Sequence, residues 1–323
     1  MGNGAKRVLA GIVAFCLGGG AAAAQPWPSK PVKVIVPISA GSGIDIVARA
    51  VSQRLQDAFK QPFVVENRPG AATTTGAAVV ASAPPDGHTI LFHSAALTIT
   101  PITRLKLPYD VMRDLSGIMP IVRTPLVLVT TPGKYKTLQD LVADAKALNG
   151  GMNYASIGYG AAAHFTSERF ALAAGFKAQM VSFRGSAEAL TEVVAGRMAF
   201  FFTPATPARG LIADGKLEAL ATTGRRRMAD LPDVPTTVEA GYKNSDFDFW
   251  VGMLVPARTP RDIVYRLHAK TVEVTQKADF KAQMAKVGGE VIEPMKPAEF
   301  DDHLKWEIER NREIAKAASI VAK

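Results

Sequence analysis

Cysteine is almost missing from this sequence: the 323 residues contain one, Cys16, inside an apolar run near the N-terminus. It follows Ala14-Phe15 rather than the small residue that lipid attachment wants, so the mature chain is expected to carry no disulfide, thiolate or lipid anchor. Aromatics are sparse, at 7%. No stretch after the N-terminal segment approaches the roughly 18 consecutive apolar residues of a membrane span. There is no HExxH pair for zinc and no G-x-S-x-G elbow for a serine hydrolase. Low-complexity tracts are absent too, which argues against a disordered or fibrous chain. Lys+Arg 38 against Asp+Glu 29 gives +9, but the excess is spread along the chain. Its longest basic run is Arg225-Arg226-Arg227, and nowhere do basic residues interleave with aromatics as a nucleic-acid groove requires, so no nucleic-acid partner is expected.

What is present begins with an export pattern. Lys6 and Arg7 precede the apolar run Val8 to Leu17, and Gly18 to Gly20 with Ala21 to Ala24 supply small residues for cleavage. The run is about ten residues, too short for a stable anchor, so 1–24 is expected to be a signal peptide cut near Ala24, with a periplasmic product. Without Lys6 and Arg7 the charge falls from +9 to about +7.

The mature chain repeats strand, Gly-rich turn and helix. Val32 to Pro37 is a short apolar run; Gly41-Ser42-Gly43 follows, then Ile44, Val47, Ala48, Val51 and Leu55 at helical spacing. Strands are expected at Phe63 to Glu66 and Thr89 to Phe92, with a helix over Ala77 to Ala81. A second series runs from Leu126 to Thr130, through a helix at Leu138 to Ala147, a strand at Asn153 to Ser156, Gly158-Tyr159-Gly160 and a helix through Phe170. Further units lie at Gln179 to Phe183, Ala187 to Ala195, Ala199 to Thr203 and Leu217 to Thr223. The tail offers a strand at Trp250 to Val255 and helices at Arg261 to Gln276 and Pro297 to about Ala318. The expected fold class is α/β, two-lobed, each lobe a mostly parallel sheet flanked by helices, with the ligand cleft between. Lobe 1 would be 25–124 plus 248–323 and lobe 2 would be 125–247, the chain crossing near Pro120 to Pro125 and near Asn244 to Trp250.

The two Gly-rich turns occupy matched places, each after a strand and before a helix. Such places expose unpaired backbone N–H groups at the positive end of a helix dipole, and glycine lets a ligand approach. Facing each other across a cleft, they would clamp a molecule with two anionic ends. Read singly, each is equally a tight connection.

Motifs along the chain carry a resemblance: Trp27-Pro28-Ser29-Lys30-Pro31, Val36-Pro37 through Gly41 to Asp45, Val65-Glu66-Asn67-Arg68-Pro69-Gly70-Ala71, Pro85-Asp86-Gly87-His88-Thr89 and Leu107-Pro108-Tyr109-Asp110. The second half adds Asn153-Tyr154-Ala155-Ser156 with Gly158, Gly160, His164 and Glu168, then Arg184-Gly185-Ser186, Gly215-Lys216-Leu217, Leu231 to Thr236 and Glu239-Ala240-Gly241. In this order, from residue 27 to 241, they resemble the Bug family of extracytoplasmic solute receptors, the binding proteins of tripartite tricarboxylate transporters. The two-lobed pattern, the export signal and the lack of an assembled nucleophile, base and orienter point to a monomeric binder without catalytic activity or cofactor. The resemblance implies a type II-like periplasmic binding protein that closes on a small carboxylate and delivers it to membrane permease subunits. It also implies ligand contacts from Ile38, Ser39, Ala40, Gly41, Ser42, Gly43 and Asp45; from Ser94 and Ala95; from Ser156, Gly158, Tyr159, Gly160, Ala161, Ala162, Ala163 and His164; and from Arg184, Thr203 and Pro204. Two departures matter. Ser42 stands where the family commonly has a second glycine, and Ala161-Ala162-Ala163 stands where hydroxyl residues are common. Contacts there would rely on backbone N–H groups. The methyls, with Phe200-Phe201-Phe202 nearby, favour a ligand with an apolar body, and so an aromatic or aliphatic dicarboxylate.

Several residues have two readings. Asp45 suits the first turn of a helix as cap or dipole partner, or would meet a ligand amine. Arg184 would meet a carboxylate bidentately or pair with a surface acid. His164 has no second histidine at ligand spacing and no cysteine near it, so no metal is expected. A rival class is an NADP-dependent oxidoreductase, since Gly158 to Ala163 fits GxGxxA after a strand, with Arg184 at the next strand end; the export pattern opposes it.

Overall fold

A computed structural model describes residues 27–322 (the side chain of Ala72 excepted). The expected signal peptide at 1–24, with Cys16, lies outside the described residues. The chain runs β1 (Val32–Val36), α1 (Gly43–Phe59), β2 (Phe63–Asn67), α2 (Thr74–Ala81), β3 (Thr89–Ser94), α3 (Ala96–Thr103), α4 (Val111–Asp114) and β4 (Leu115–Thr130). It continues with α5 (Leu138–Ala147), β5 (Asn153–Ser156), α6 (Ala162–Ala174), β6 (Gln179–Ser182), α7 (Ser186–Val194), β7 (Phe200–Pro204), α8 (Ala205–Ala213) and β8 (Glu218–Thr222). The tail is β9 (Asp248–Pro256), α9 (Arg261–Thr275), α10 (Ala278–Lys286), β10 (Glu290–Val291) and α11 (Pro297–Ala317).

Local rules account for most of these elements. In α1, Ile44, Val47, Ala48, Val51 and Leu55 are buried along one face; Ser42 caps the start, and Lys60 ends the helix in the left-handed conformation. In α5, Thr137 and Asp140 form a reciprocal capping box. Alternation along β7 puts Phe200 and Phe202 on one face and Phe201 on the other, and all three are fully buried.

Strand order is β2-β1-β3-β9-β4 and then β7-β5-β6, with β10 and β8 also on β4. Parallel pairing holds for β1 with β2 and β3, and for β5 with β6 and β7. The two strands at the centre differ from the mostly parallel expectation: β4 is antiparallel to β9, β7 and β8, and β9 is antiparallel to β3. The cause is directional. The chain leaves the first sheet along β4 and returns along β9, so these strands run in opposite senses. The 16-residue β4 pairs with β9 as far as Pro125↔Asp248 and with β7 from Leu126↔Pro204.

Helices cover both faces of both sheets. One apolar layer is continuous across the junction, taking Leu91, Trp250 and Phe300 together with Tyr154, Phe170 and Phe200. The opposite faces have separate cores, under α1, α9 and α10 for the first sheet and under α7 and α8 for the second. The last helix, α11, packs on α3 and β4 and also on α6, so it straps the two lobes along one side.

Candidate functional site

The carboxyl ends of β1, β3, β5 and β7 point at the junction between the sheets, and α1, α3, α6 and α8 all start there. The first Gly-rich loop is pinned from below. Asp45, 2% exposed, accepts hydrogen bonds from the Gly41 amide (2.9 Å), Arg49 Nε (2.9 Å) and Asn67 Nδ2 (2.9 Å). Asn67 Nδ2 also donates to the Ile38 carbonyl at 2.9 Å. Burial alone would raise the Asp45 carboxyl, but the bonds from Arg49, Gly41 and Asn67 outweigh it and hold it below the usual range. Asp45 is therefore neither the helix cap nor a free acid. Ser42 is the cap, its Oγ accepting from the Asp45 amide at 3.3 Å. Its φ of −71° needs no glycine, which is why serine is tolerated there, whereas Gly41 sits at φ +81°. The amides of Gly43 and Ile44, in the first turn, have no intrahelical partner.

The second loop is built differently. Gly158 and Gly160 have φ of +140° and +77°, and a Cβ on Gly160 would lie 3.0 Å from Thr103 Cγ2 of α3. His164, 4% exposed, accepts the Gly160 amide on Nδ1 at 3.1 Å, and burial pushes its imidazole down to about 4, so it is neutral. Tyr159 Oη accepts from the Val321 amide at 2.7 Å and donates to the Val321 carbonyl at 3.0 Å. Its hydroxyl is thereby held by the chain's own tail. The α6 cap position is Ala161, which makes no side-chain cap, so the amides of Ala162, Ala163 and His164 lack partners within the helix. Caps are also missing at α3 (Ala95) and α8 (Pro204). Among these helix starts, only Ser42 satisfies a first-turn amide from the cap position itself; at α3 the Ser94 hydroxyl, one residue before the cap, reaches the first amide.

The remaining expected contacts divide. Ser39, Ala40, Gly41 and Gly43 are exposed, and Ile38 and Ser42 half-buried, on the first loop. Ser94 and Ala95 are buried at the end of β3, the Ser94 Oγ accepting the Ala96 amide at 3.4 Å. Ser156 is buried and its hydroxyl donates to the Gly158 carbonyl at 3.1 Å. Thr203 is wholly buried at the end of β7, its Oγ1 without a protein partner, and Pro204 next to it is half-buried. Arg184 lies on the outermost strand's end, exposed; its amide donates to Glu188 at 3.0 Å and its guanidinium is free. The expected apolar wall is smaller than the sequence implies. Ala163 and Phe201 belong to one core, and Phe200 and Phe202, with Ala162 against them, to the other. What remains apolar on the loops is Ile38, Ala40, Ile157 and Ala161, with Ile157 43% exposed.

A buried polar cluster behind the loops was not anticipated. Glu307 Oε2 of α11 accepts from Thr98 Oγ1 (3.1 Å) and Trp250 Nε1 (3.0 Å). Asn311 donates to Thr98 at 3.1 Å and accepts from Arg169 of α6 at 3.2 Å. Arg169 also donates to the Asp246 carbonyl at 2.7 Å. Nothing local in the sequence marks these residues, since the contacts join positions more than fifty residues apart. Among the described residues, no group of three or more His, Cys, Asp or Glu could hold a metal ion, and no helix is long and apolar enough to cross a membrane.

Comparison with known proteins decides the family. The family model of the tripartite tricarboxylate transporter family receptor (TctC) matches residues 47–319. This chain belongs to that receptor family. BugT of Bordetella pertussis is 33% identical over 276 residues, 84% of this receptor and 85% of BugT. The "UPF0065 protein in tcbD-tcbE intergenic region" of Pseudomonas sp. (strain P51) is 32% identical over 290 residues, 88% of this chain and 86% of its own. Among solved structures, an R. palustris protein with adipate has a TM-score of 0.76 at 27% identity, covering 92% of the receptor and 100% of itself. The periplasmic binding protein BugD has a TM-score of 0.72 at 27%, covering 92% and 100%. MatC from Rhodopseudomonas palustris with bound malate has 0.70 at 26%, covering 89% and 99%. The receptor therefore has the two-lobed α/β fold of periplasmic solute-binding proteins. Its family binds substrates and does not transform them, so the NADP-dependent oxidoreductase reading falls.

Proposed function

We propose that this receptor captures a small dicarboxylate between the loops 38–44 and 157–164 in the periplasm, as a monomer, and delivers it to the membrane permease subunits of its transporter. We take 1–24 as the export signal, 25–124 plus 248–323 as lobe 1 and 125–247 as lobe 2. The observation that carries the reading is the set of first-turn amides without partners on both sides of the junction: Gly43 and Ile44 of α1, and Ala162, Ala163 and His164 of α6. Positive dipole ends with free N–H groups favour carboxylates, and one from each lobe suits a ligand with two. The neighbours with adipate and with malate support a diacid. With Asp45 buried in its own bonds, no free acid on the first loop's floor awaits an ammonium group, which ranks amino acids last. Ile38, Ala161 and Ile157 reward a methylene or ring body at about 25 cal/mol per Å² buried, and Ala161 offers nothing to citrate's hydroxyl. Calorimetric titration with adipate, terephthalate, citrate and aspartate tests the ranking. Saturable 1:1 heat is expected from adipate or terephthalate; tight citrate or aspartate binding with no heat from the two apolar diacids would overturn it.

A further inference from the structure

The basic run Arg225-Arg226-Arg227 has no part in the site above, and two of its members, Arg226 and Arg227, lie on the rim of a second crevice of about 620 Å³. That volume falls within the roughly 300–1,000 Å³ of small-molecule sites. One wall comes from α8 and the segment after β8, the other from α10 and β10. Neither Gly-rich loop contributes. In strand order the loops follow β1 and β5, whereas the crevice sits at β8 and β10, on the other side of the central strands. The contact of Thr206 Oγ1 with the Val287 carbonyl, at 3.5 Å, joins the two walls.

The lining is apolar with cations at the edge. Pro125, Met228, Ala285 and Val291 supply the apolar surface. Both acids of the lining are already neutralised: Asp230 by Arg209, and Glu290 by Arg123, whose Nη2 and Nε donate at 2.6 and 3.0 Å. Arg227 is paired with Glu239 at 2.9 Å. This leaves Arg226 on one wall and Lys281 on the other, both exposed and with no side-chain hydrogen-bond or ion-pair partner among the described residues. Two free cations at the mouth of an apolar crevice, with no free acid inside, select an anionic head and an apolar body.

We infer that this crevice is a second ligand site, distinct from the carboxylate site between the loops, and that it takes an amphiphilic organic monoanion. The carboxylate bridges Arg226 and Lys281, and the apolar chain lies on Met228, Ala285 and Val291. An occupant would touch both walls, and through them both sheets.

Octanoate is the probe, titrated by calorimetry into the mature receptor. Saturable binding is expected, weakened about tenfold by Arg226→Ala with Lys281→Ala, because each removes a charge-assisted contact. Ala285→Trp, which fills the crevice, is expected to abolish it. Ala161→Trp, which obstructs the other site, is expected to leave octanoate binding unchanged while weakening adipate. All four substitutions are at partly or fully exposed positions, and circular dichroism with the melting temperature checks the fold of each variant. Absence of octanoate binding would overturn the inference. So would binding that survives both crevice variants, or that is lost in Ala161→Trp alone.

Discussion

Ala161 concentrates the conflict between helix stability and ligand capture. As an uncapped N-terminal position it leaves three α6 amides free, and a hydroxyl there would take one of them. Ala161→Ser is expected to stabilise the fold by about 0.5–1 kcal/mol through capping and, in the same protein, to weaken dicarboxylate binding. Paired urea unfolding and calorimetry check it; a variant that is stabilised yet binds more tightly contradicts the amide argument. His164 makes a pH prediction. Its imidazole is held near 4 in the fold against 6.5 in the unfolded chain. Between those values the unfolded state takes up a proton that the native state refuses, so stability falls as pH drops below 6.5 and levels off below 4. The loss at pH 5 is on the order of 2 kcal/mol. His93, wholly buried and also pushed to about 4 by burial, acts in the same sense. His164→Asn keeps an acceptor for the Gly160 amide without titrating. It should lose less melting temperature than the wild type between about pH 7.5 and pH 5, and equal losses would refute the assignment.

At the scale of elements, α11 is the strap and Glu307 its buried anchor. Removing the carboxylate leaves the Trp250 indole N–H unpaired in the core, while the Thr98 hydroxyl keeps the Ala95 carbonyl as acceptor at 2.8 Å. Glu307→Ala should therefore cost about 2–4 kcal/mol by urea unfolding, with Glu307→Gln recovering much of it through its remaining carbonyl. A loss below about 1 kcal/mol in the alanine variant would show that water replaces the anchor. The strand β4 shows how an element can carry two prolines. Its register with β9 shifts between Pro120 and Val122, where an irregularity spares Pro120 a ladder bond. Pro125 sits where the partner changes from β9 to β7.

The molecule as a whole has two sheets joined by β4 and the return through β9, and a strap on one side. Bending at that junction would bring the loops 38–44 and 157–164 together. Adipate at about a hundred times its Kd should stabilise the native state by about 2.7 kcal/mol. It should also lower the radius of gyration in small-angle X-ray scattering. Stabilisation with an unchanged scattering curve would mean that the receptor binds without closing.

The α/β class, the strand–Gly–helix order and the positions of both Gly-rich loops were legible in the sequence, because they rest on short-range periodicity and turn chemistry. The family was legible too, in motifs that follow one another along the chain. Residues 115–125 were not read as strand, since Pro120, Pro125 and Gly117 locally oppose one and only pairing with β9 compensates. The helices α3, α8 and α10 were likewise missed, where Pro101 or a short apolar face weakens the local pattern. Side-chain destinations depended on tertiary packing. The run Phe200 to Phe202 counted toward an apolar wall in the sequence, with structural packing still expected of at least one ring; all three fill two cores. Asp45 looked like a cap but holds Gly41, Arg49 and Asn67, and nothing local marked Glu307 as the anchor of Thr98 and Trp250. The physical reason is one of range: capping, turns and periodicity act within a few residues, whereas burial and partner choice are set by groups far apart in the chain that meet only after it folds.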